Sequence, residues 1–594
     1  MVPSLSSLIL LSVLPLTALS SVVQRQTTTT TDQFDYVVVG GGAGGAVIAN
    51  RLTENRSVSV LLIEAGPDNE GRLEGQVPYI YQRLFGSNWD WNYTTTPQPG
   101  LNNRVSPYFR GHVLGGSTSI NGMTYTRGPA SNWNRIANYI GDQSWSWNNL
   151  QSYFRKNEAF IPPTGSGTGN RFDPAVHGTS GPIGVSLNSV NQWIIDPTLT
   201  AAEQTGIFPY NRDGNSGSPL GISWQQFAIR NGARSSAATG YLNQQVRARS
   251  NLRISLSSRA TRLIAQNGTS PLRFTTVEYQ NAAGATVRAV ARREIIVSAG
   301  VIDTPVLLMR SGLGDAAELT AAGITPLVNI SAIGKNFIDH VGTPAAWSVN
   351  TTLTDDEIDR NSTLFNQLLA EWNQSKTGRL TTTSLSHIEF SRLPNNASIF
   401  QTVTDPTGGA ADTPHYEQIL ANKWTMLSPR PASGNWVGMT HFVLSPVSTG
   451  TVKLNPANAQ GPPLLDSGSL SHPFDIFVLR SAIRSTAAYM NAPAWRQFNA
   501  APAFDASILN NDAALDNFIR SNSFAGAHGV ATAKMGPRNS PAGSDVVGPD
   551  FRVKGVQGLR IVDASVIPFS PSGHSMVPTY VFAEKAADII KSGN

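Results

Sequence analysis

The stretch that decides the fold is DYVVVGGGAGGAVIANRLTENRSVSVLLIEAG, residues 35–66. It begins with a continuous apolar run, which is typical of a parallel strand buried on both faces. A glycine-rich turn and a helical pattern follow, and a second apolar run ends at Glu64. A strand, a turn, a helix and a strand within about 30 residues indicate a βαβ unit.

The turn contains the pattern G-x-G-x-x-G at Gly40, Gly42 and Gly45. In this pattern the first glycine makes a tight turn, the second lets a pyrophosphate approach the backbone, and the third lets helix and strand pack closely. A purely structural glycine turn is the alternative, but here Glu64 ends the next strand at the usual offset for binding ribose hydroxyls. The sequence therefore predicts a dinucleotide site, and the acid favours FAD or NAD over NADP.

Similar strand–helix patterns recur far along the chain. REIIVSAG (293–300) precedes TPVLLMRSGLG, and GLRIVDASVIP (558–568) precedes a C-terminal helical pattern. We therefore expect one sheet assembled from distant segments, with the intervening stretches forming a second region.

A second glycine-rich segment, RGHVLGGSTSINGMTYTRG, spans residues 110–128. Gly115, Gly116 and Ser117 offer exposed backbone N–H groups and a hydroxyl. A plain loop is the alternative, but two such turns are better explained by one elongated cofactor that runs between them.

Two of the nine histidines stand among small residues: His528 in AGAHGVAT and His574 in SPSGHSMVP. Small neighbours let another molecule come close. The two flank the predicted strand 558–568, so the fold could bring both to one end of it. A lone histidine is more often structural, but imidazole is the usual proton acceptor near neutral pH, and a flavin that oxidises an alcohol needs such a base.

Other chemistries lack their signatures. No histidine pair has a metal-binding spacing such as HExxH, so we expect no metal. No G-x-S-x-G elbow follows a strand, which disfavours a serine hydrolase. The formal charge of +5 over 594 residues, without a Lys/Arg cluster, argues against nucleic acid as a partner.

The N-terminus predicts secretion. Residues 5–19 are apolar but too short to span a bilayer, and Ala18-Leu19-Ser20 resembles a cleavage site, so we expect a signal peptide over 1–20 and no membrane span. The chain has no cysteine, so its stability must come from core burial. Eight Asn-x-Ser/Thr sites fit an exported, glycosylated surface: Asn55, Asn92, Asn267, Asn329, Asn350, Asn361, Asn373 and Asn396.

These motifs together resemble the glucose-methanol-choline (GMC) oxidoreductases from about residue 35 to 591, within them most closely the fungal aryl-alcohol oxidase and pyranose dehydrogenase group. The segments DWNYTTTPQPGLNNR, IGKNFIDH and HGVATAKMGP also match, in the family's order. The resemblance implies an α/β, Rossmann-like FAD-binding domain from residues 32–150, 231–339 and 528–594. It also implies an α+β substrate domain with a large antiparallel sheet from 151–230 and 340–527.

The resemblance further implies roles for individual residues. His528 falls on the family's general base, and His574 on the partner that positions the substrate hydroxyl. The glycine turn and Glu64 would hold the ADP half of FAD, and the other implied cofactor contacts are Gly115, Gly116, Asn121, Ala260, Asp563 and Ala564. The expected reaction is hydride transfer from an alcohol to flavin N5, followed by reoxidation by O₂ or a quinone, in a monomer.

The chain departs from its relatives at three positions. Aryl-alcohol oxidases carry gating aromatics where this sequence has Ala527 and Gly122, which predicts a wider pocket mouth. Pyranose dehydrogenases bind FAD covalently through a histidine where this sequence has Ile120, which predicts noncovalent FAD. An aryl or allylic alcohol oxidase, a sugar-oxidising pyranose dehydrogenase and an inactive flavin-binding protein stay open, whereas an NAD-dependent dehydrogenase is disfavoured by the paired histidines.

Overall fold

The computed structural model describes residues 31–163, 169–188, 190–541 and 543–593, so the predicted signal peptide lies outside the described residues. No helix within these ranges is long and apolar enough to cross a membrane. The helices of ten or more residues are Ala43–Leu52, Ala130–Ile140, Trp147–Asn157, Ile195–Thr205, Gly300–Arg310, Ser362–Ser375, Pro473–Met490, Asp512–Asn522 and Met576–Lys591. Shorter α-helices are Ala237–Gly240, Gln244–Arg247, Ala316–Ala321, Asp356–Arg360 and Pro493–Arg496.

The first sheet is assembled from distant segments, as predicted. Its strand order is Leu252–Ser255, Val60–Ile63, Thr31–Val39, Thr286–Val297, Arg273–Gln280 and Arg259–Gln266, and Leu559–Ile561 also pairs with Thr286–Val297. The buried apolar strands pair in parallel. The last two strands of the order pair antiparallel, which the sequence analysis did not predict.

The parallel strands of this sheet end together. Val39 is in register with Ile63 on one side and with Val297 on the other, and Val297 is in register with Ile561. The residues that follow these strands therefore meet along one edge. In open α/β sheets, ligands bind outside this carboxyl edge.

The second sheet is antiparallel, which confirms the predicted fold class. Its strands are Gly221–Trp224, Val341–Ser348, Leu385–Ser391, Tyr416–Ala421, Trp436–Val443, Ala501–Pro502 and Phe524–Ala525. Smaller sheets pair Tyr93–Thr94 with Pro107–Tyr108, Glu158–Ile161 with Ile183–Leu187 and Gln226–Phe227, Ile229–Arg230 with Ala233–Arg234, Leu313–Gly314 with Val328–Asn329, and Thr451–Lys453 with Leu464–Asp466.

The strands of the first sheet come from the segments predicted for the FAD-binding domain, and those of the second sheet from the segments predicted for the substrate domain. The small hairpin of Thr451–Lys453 and Leu464–Asp466 does not follow this division. Val452 and Leu465 of this hairpin are buried in the same hydrophobic cluster as the first sheet, although the sequence analysis places residues 340–527 in the substrate domain. The domain boundaries stay a prediction.

Candidate active site

A cavity of about 780 Å³ lies between the carboxyl edge of the first sheet and one face of the second. Most of the site residues predicted from the sequence line it: Gly40, Gly42, Glu64, Gly116, Asn121, Ala260, His528, Asp563, Ala564 and His574. Gly45 and Gly115 do not. The fold thus gathers segments that are hundreds of residues apart around one space.

The two glycine turns touch each other backbone to backbone at the wall of this cavity. A Cβ atom on Gly116 would lie 2.9 Å from the Cα atom of Gly42, and the φ angle of Gly116 is +55°. Side chains at both positions would fill the space that the turns leave open. The pair therefore exposes bare backbone to a ligand.

Gly45 and Gly115 have packing roles instead. A Cβ atom on Gly45 would lie 1.9 Å from the carbonyl oxygen of Gly40, so only glycine lets the helix lie against the turn. The N–H of Gly115 donates to the carbonyl of Gly41 at 2.8 Å, which joins the second turn to the first.

Glu64 is buried behind the first turn. Its carboxylate accepts hydrogen bonds from the backbone N–H groups of Gly41 (2.7 Å) and Gly66 (2.8 Å). Burial raises the pKa of Glu64 to about 7, although the two backbone donors oppose this shift. A carboxyl group at this position can accept hydrogen bonds from ribose hydroxyls.

Asp563 and Asn121 are already engaged within the protein. Asp563 accepts hydrogen bonds from the N–H of Gly300 (2.9 Å) and the hydroxyl of Thr304 (2.5 Å), so it fixes the first turn of the helix Gly300–Arg310 from a distant segment of the chain. The side-chain oxygen of Asn121 accepts a hydrogen bond from the guanidinium of Arg234 at 3.0 Å. Both residues therefore hold the cavity wall in shape, in addition to facing the cavity.

These features fit FAD. The cavity has the volume expected of a cofactor site, and bare glycine backbone, a buried acid and apolar walls supply the contacts that a dinucleotide needs. Among the described residues, no three His, Asp or Glu side chains are grouped so that they could hold a metal ion.

His528 and His574 meet at one end of the cavity, with ring centroids 4.1 Å apart. Phe442 from the second sheet packs against both rings, at centroid distances of 5.6 Å and 6.3 Å. Burial lowers the pKa of His528 well below its usual value, and His574 adds to the effect. His528 is therefore neutral near neutral pH and can accept a proton.

His574 is oriented by an acid that the sequence analysis missed. Its Nε2 atom lies 2.8 Å from a carboxylate oxygen of Glu417, which is fully buried in the strand Tyr416–Ala421. A carboxylate only accepts hydrogen bonds, so Nε2 of His574 donates. The strand reads YEQILA, and an acid beside the apolar residues Ile419, Leu420 and Ala421 was the available signal, because a buried charge needs a partner.

The backbone around His528 is clamped by Asp339. Its carboxylate accepts from the N–H groups of His528 (2.7 Å) and Ala527 (3.3 Å). Ala527 has a φ angle of +59°, which is uncommon for a residue with a side chain, and the guanidinium of Arg110 donates to its carbonyl at 2.7 Å. These contacts hold a strained segment next to the reacting group.

The small residues Ala527 and Gly122 do not leave the cavity without aromatic walls, and the predicted wider mouth stays a prediction. A Cβ atom on Gly122 would lie 3.4 Å from the ring of Tyr81, so Tyr81 fills the space beside it. Phe85 stacks on Phe109 with centroids 4.3 Å apart. These three rings and Trp424 line the cavity. The aromatics come from other segments of the chain, which the local motifs could not reveal.

The family models agree with this geometry. The N-terminal model of the GMC oxidoreductases matches residues 34–342, and the C-terminal model matches residues 446–583. The chain is 38% identical over 562 residues to "Dehydrogenase eriK" of Hericium erinaceus, covering 92% of both chains. It is 35% identical over 560 residues to the pyranose dehydrogenase of Agaricus campestris, covering 92% of this chain and 91% of that one.

Solved structures match over almost the whole chain as well. A formate oxidase variant from Aspergillus oryzae aligns with a TM-score of 0.87 and 26% identity, covering 95% of this chain and 99% of that one. A fungal aryl-alcohol oxidase aligns with a TM-score of 0.81 and 27% identity, with the same coverage. The chain belongs to the GMC oxidoreductases, a family of FAD-dependent enzymes that act on alcohol or sugar donors.

Proposed function

We propose that this protein oxidises a primary aryl or allylic alcohol with FAD, and that His528 is the catalytic base. The observation that carries the proposal is the pairing of His528 and His574, 4.1 Å apart, in the same cavity as the glycine turns. Neutral His528 accepts the hydroxyl proton, and His574, held by Glu417, orients the hydroxyl. Bound FAD supplies the acceptor for the hydride that leaves the alcohol carbon, at flavin N5.

We assign the residues of the cavity wall to parts of FAD as follows from their positions. The glycine turns and Glu64 bind the ADP half of FAD, and Gly116, Asn121, Asp563 and Ala564 lie along the rest of it, with Ala260 at the adenine. The site is noncovalent because Ile120, in the cavity wall, has no nucleophile. Reoxidation is by O₂, which yields H₂O₂, or by a quinone.

A sugar substrate is the second candidate. Pyranose dehydrogenases are 34–36% identical to this chain over 92% of its length. The small side chain of Ala527 also takes up little space in the cavity wall. Both features favour a hydroxyl on a larger, more polar molecule.

Secretion is also part of the proposal. It is supported by the apolar segment 5–19 and by the eight Asn-x-Ser/Thr sites, whose asparagines are all exposed on the folded protein. An exposed acceptor is what glycosylation requires.

An anaerobic screen tests the proposed function. The holoenzyme is mixed with benzylic and allylic alcohols, aldopyranoses and small aliphatic alcohols, and the flavin absorbance is followed. We expect a benzylic or allylic alcohol to bleach the flavin fastest, and readmission of O₂ or addition of benzoquinone to restore it. A yellow protein that no alcohol or sugar bleaches would indicate a flavin-binding protein without this activity.

The aromatic wall gives a prediction about specificity. Tyr81→Ala should raise the kcat/KM for an aldopyranose relative to that for benzyl alcohol by roughly tenfold, about 1.4 kcal/mol, because the ring beside Gly122 narrows the cavity and offers a flat surface to an aryl group. Tyr81→Phe is the matched control, since it keeps the ring and should keep the preference. Steady-state kinetics with both substrates measure the ratio. An unchanged ratio in Tyr81→Ala would show that Tyr81 does not select the substrate.

A further inference from the structure

A third histidine lies directly behind His528. His340, which is buried, ends the segment IGKNFIDH, and its Nδ1 atom lies 3.1 Å from the Nδ1 atom of His528. The two residues are 188 positions apart in the sequence. Two imidazole nitrogens at this distance form a hydrogen bond only if one of them carries a hydrogen and the other a lone pair.

The other side of His340 decides which nitrogen carries the hydrogen. Its Nε2 atom lies 2.8 Å from the hydroxyl oxygen of Ser570. That hydroxyl donates its single hydrogen to the carbonyl oxygen of Leu444, which can only accept. Nε2 of His340 must therefore be the donor to Ser570, and Nδ1 of a neutral His340 is left with a lone pair.

The hydrogen bond between the two rings then has one direction. Nδ1–H of His528 donates to Nδ1 of His340. The hydrogen of neutral His528 is thus on Nδ1, and its Nε2 atom carries a lone pair. Within the described part of the chain, no residue hydrogen-bonds this Nε2 atom, and the ring lines the cavity.

We propose that His340 is a positioning residue that holds His528 in the tautomer whose Nε2 lone pair is free to accept the substrate proton. This inference rests on the proposed role of His528 as base. The substrate hydroxyl gives its proton to Nε2, and the hydrogen on Nδ1 stays in place. The resulting imidazolium donates a charge-assisted hydrogen bond to His340, which stabilises the cation and fixes the ring.

The surroundings of His340 support this role. Burial lowers the pKa of His340 to about 3, so the ring stays neutral and keeps its lone pair while His528 becomes charged. The carboxylate of Asp339 accepts from the backbone N–H groups of both His340 (2.9 Å) and His528 (2.7 Å). One acid therefore fixes the two histidines at a constant separation.

Asparagine and leucine at position 340 form a matched pair for the test, because they have the same shape and only asparagine offers an acceptor close to the Nδ1 position. His340→Leu should slow the limiting rate of anaerobic flavin reduction by about ten- to thirtyfold, a part of the roughly 10²–10⁴ that a positioned base contributes. His340→Asn should stay within about threefold of the wild type, since its carboxamide oxygen can accept from Nδ1–H. Equal losses in both variants would overturn the proposal, because His340 would then act only through packing.

A spectroscopic readout does not depend on turnover. Holoenzyme labelled with ¹⁵N-histidine should show His528, assigned by its loss in His528→Asn, as the Nδ1–H tautomer in the wild type and in His340→Asn. Detection of the Nε2–H tautomer in the wild type would overturn the proposal even if His340→Leu fails to fold. A wild type that shows the Nδ1–H tautomer but reduces its flavin with no alcohol would uphold the role of His340 and contradict the base function of His528.

The variant Ser570→Ala tests whether the serine hydroxyl itself is needed to set the tautomer of His528. The backbone carbonyl of Leu444, which accepts from the serine hydroxyl, also opposes the lowering of the pKa of His340, so it can replace the hydroxyl as the acceptor for this ring. We therefore expect this variant to keep the tautomer of His528 and to reduce its flavin within about twofold of the wild-type rate. A switch of His528 to the Nε2–H tautomer in this variant would contradict the direction of the hydrogen bonds.

Discussion

His528→Ala should slow flavin reduction by the alcohol by about 10²–10⁴-fold, which is the usual contribution of a positioned general base. The neutral ring of His528 faces the cavity, and no described residue other than His340 hydrogen-bonds its nitrogens, so its removal leaves the hydroxyl proton without an acceptor. Rapid mixing of the anaerobic holoenzyme with saturating substrate measures the limiting rate directly.

Two controls show whether the loss in His528→Ala comes from the missing base. His574→Ala should lose less activity, because His574 orients the hydroxyl, although coupling between adjacent groups reduces the difference. Added imidazole should restore part of the rate in His528→Ala, since the deletion leaves a space of that shape. Wild-type reduction rates in His528→Ala with FAD still bound would show that another group takes the proton.

The βαβ unit and the cofactor site at its glycine turn could be predicted, because the residues that form them lie close together in the sequence. The buried strand before Gly40, the helix after Gly45 and the acid at Glu64 lie within one βαβ unit, and each spacing follows from backbone geometry. The paired histidines could be predicted for a related reason. Small residues around His528 and His574 indicate that a second molecule approaches them, wherever the chain places them.

The remaining features depend on contacts between segments that are far apart, and no local pattern encodes them. His340 lies next to His528 only because the strand Val341–Ser348 pairs with the strand Phe524–Ala525, which comes just before the base in the chain. Tyr81 closes the space at Gly122 from a different part of the chain. Glu417 is a partly predictable case. An acid in a buried strand indicates that a polar partner lies nearby, but the sequence does not show that this partner is His574.

Gly42→Ala should weaken FAD binding by roughly 30- to 150-fold, about 2–3 kcal/mol, while it leaves the apoprotein folded. The backbone of Gly42 has φ −77° and ψ −162°, which alanine adopts without strain. The nearest atom to an added Cβ is the Cα of Gly116 at 3.8 Å, an ordinary contact. The methyl group therefore fits the protein, but it stands in the cavity where we propose that the pyrophosphate lies against the backbone.

Gly45→Ala is the contrasting variant. Its methyl group would lie 1.9 Å from the carbonyl oxygen of Gly40, outside the cavity lining, so it should lower the melting temperature of the apoprotein itself. We propose that FAD is bound noncovalently, because Ile120 offers no nucleophile to the flavin, so FAD should be removable and can be titrated back, and thermal unfolding of each apoprotein reports the fold separately. The two variants should therefore differ. Gly42→Ala should bind FAD more weakly while its apoprotein melts at the wild-type temperature, whereas the apoprotein of Gly45→Ala should melt at a lower temperature. If Gly42→Ala binds FAD as tightly as the wild type, the glycine turn does not cradle the pyrophosphate, and the dinucleotide must cross the sheet edge elsewhere.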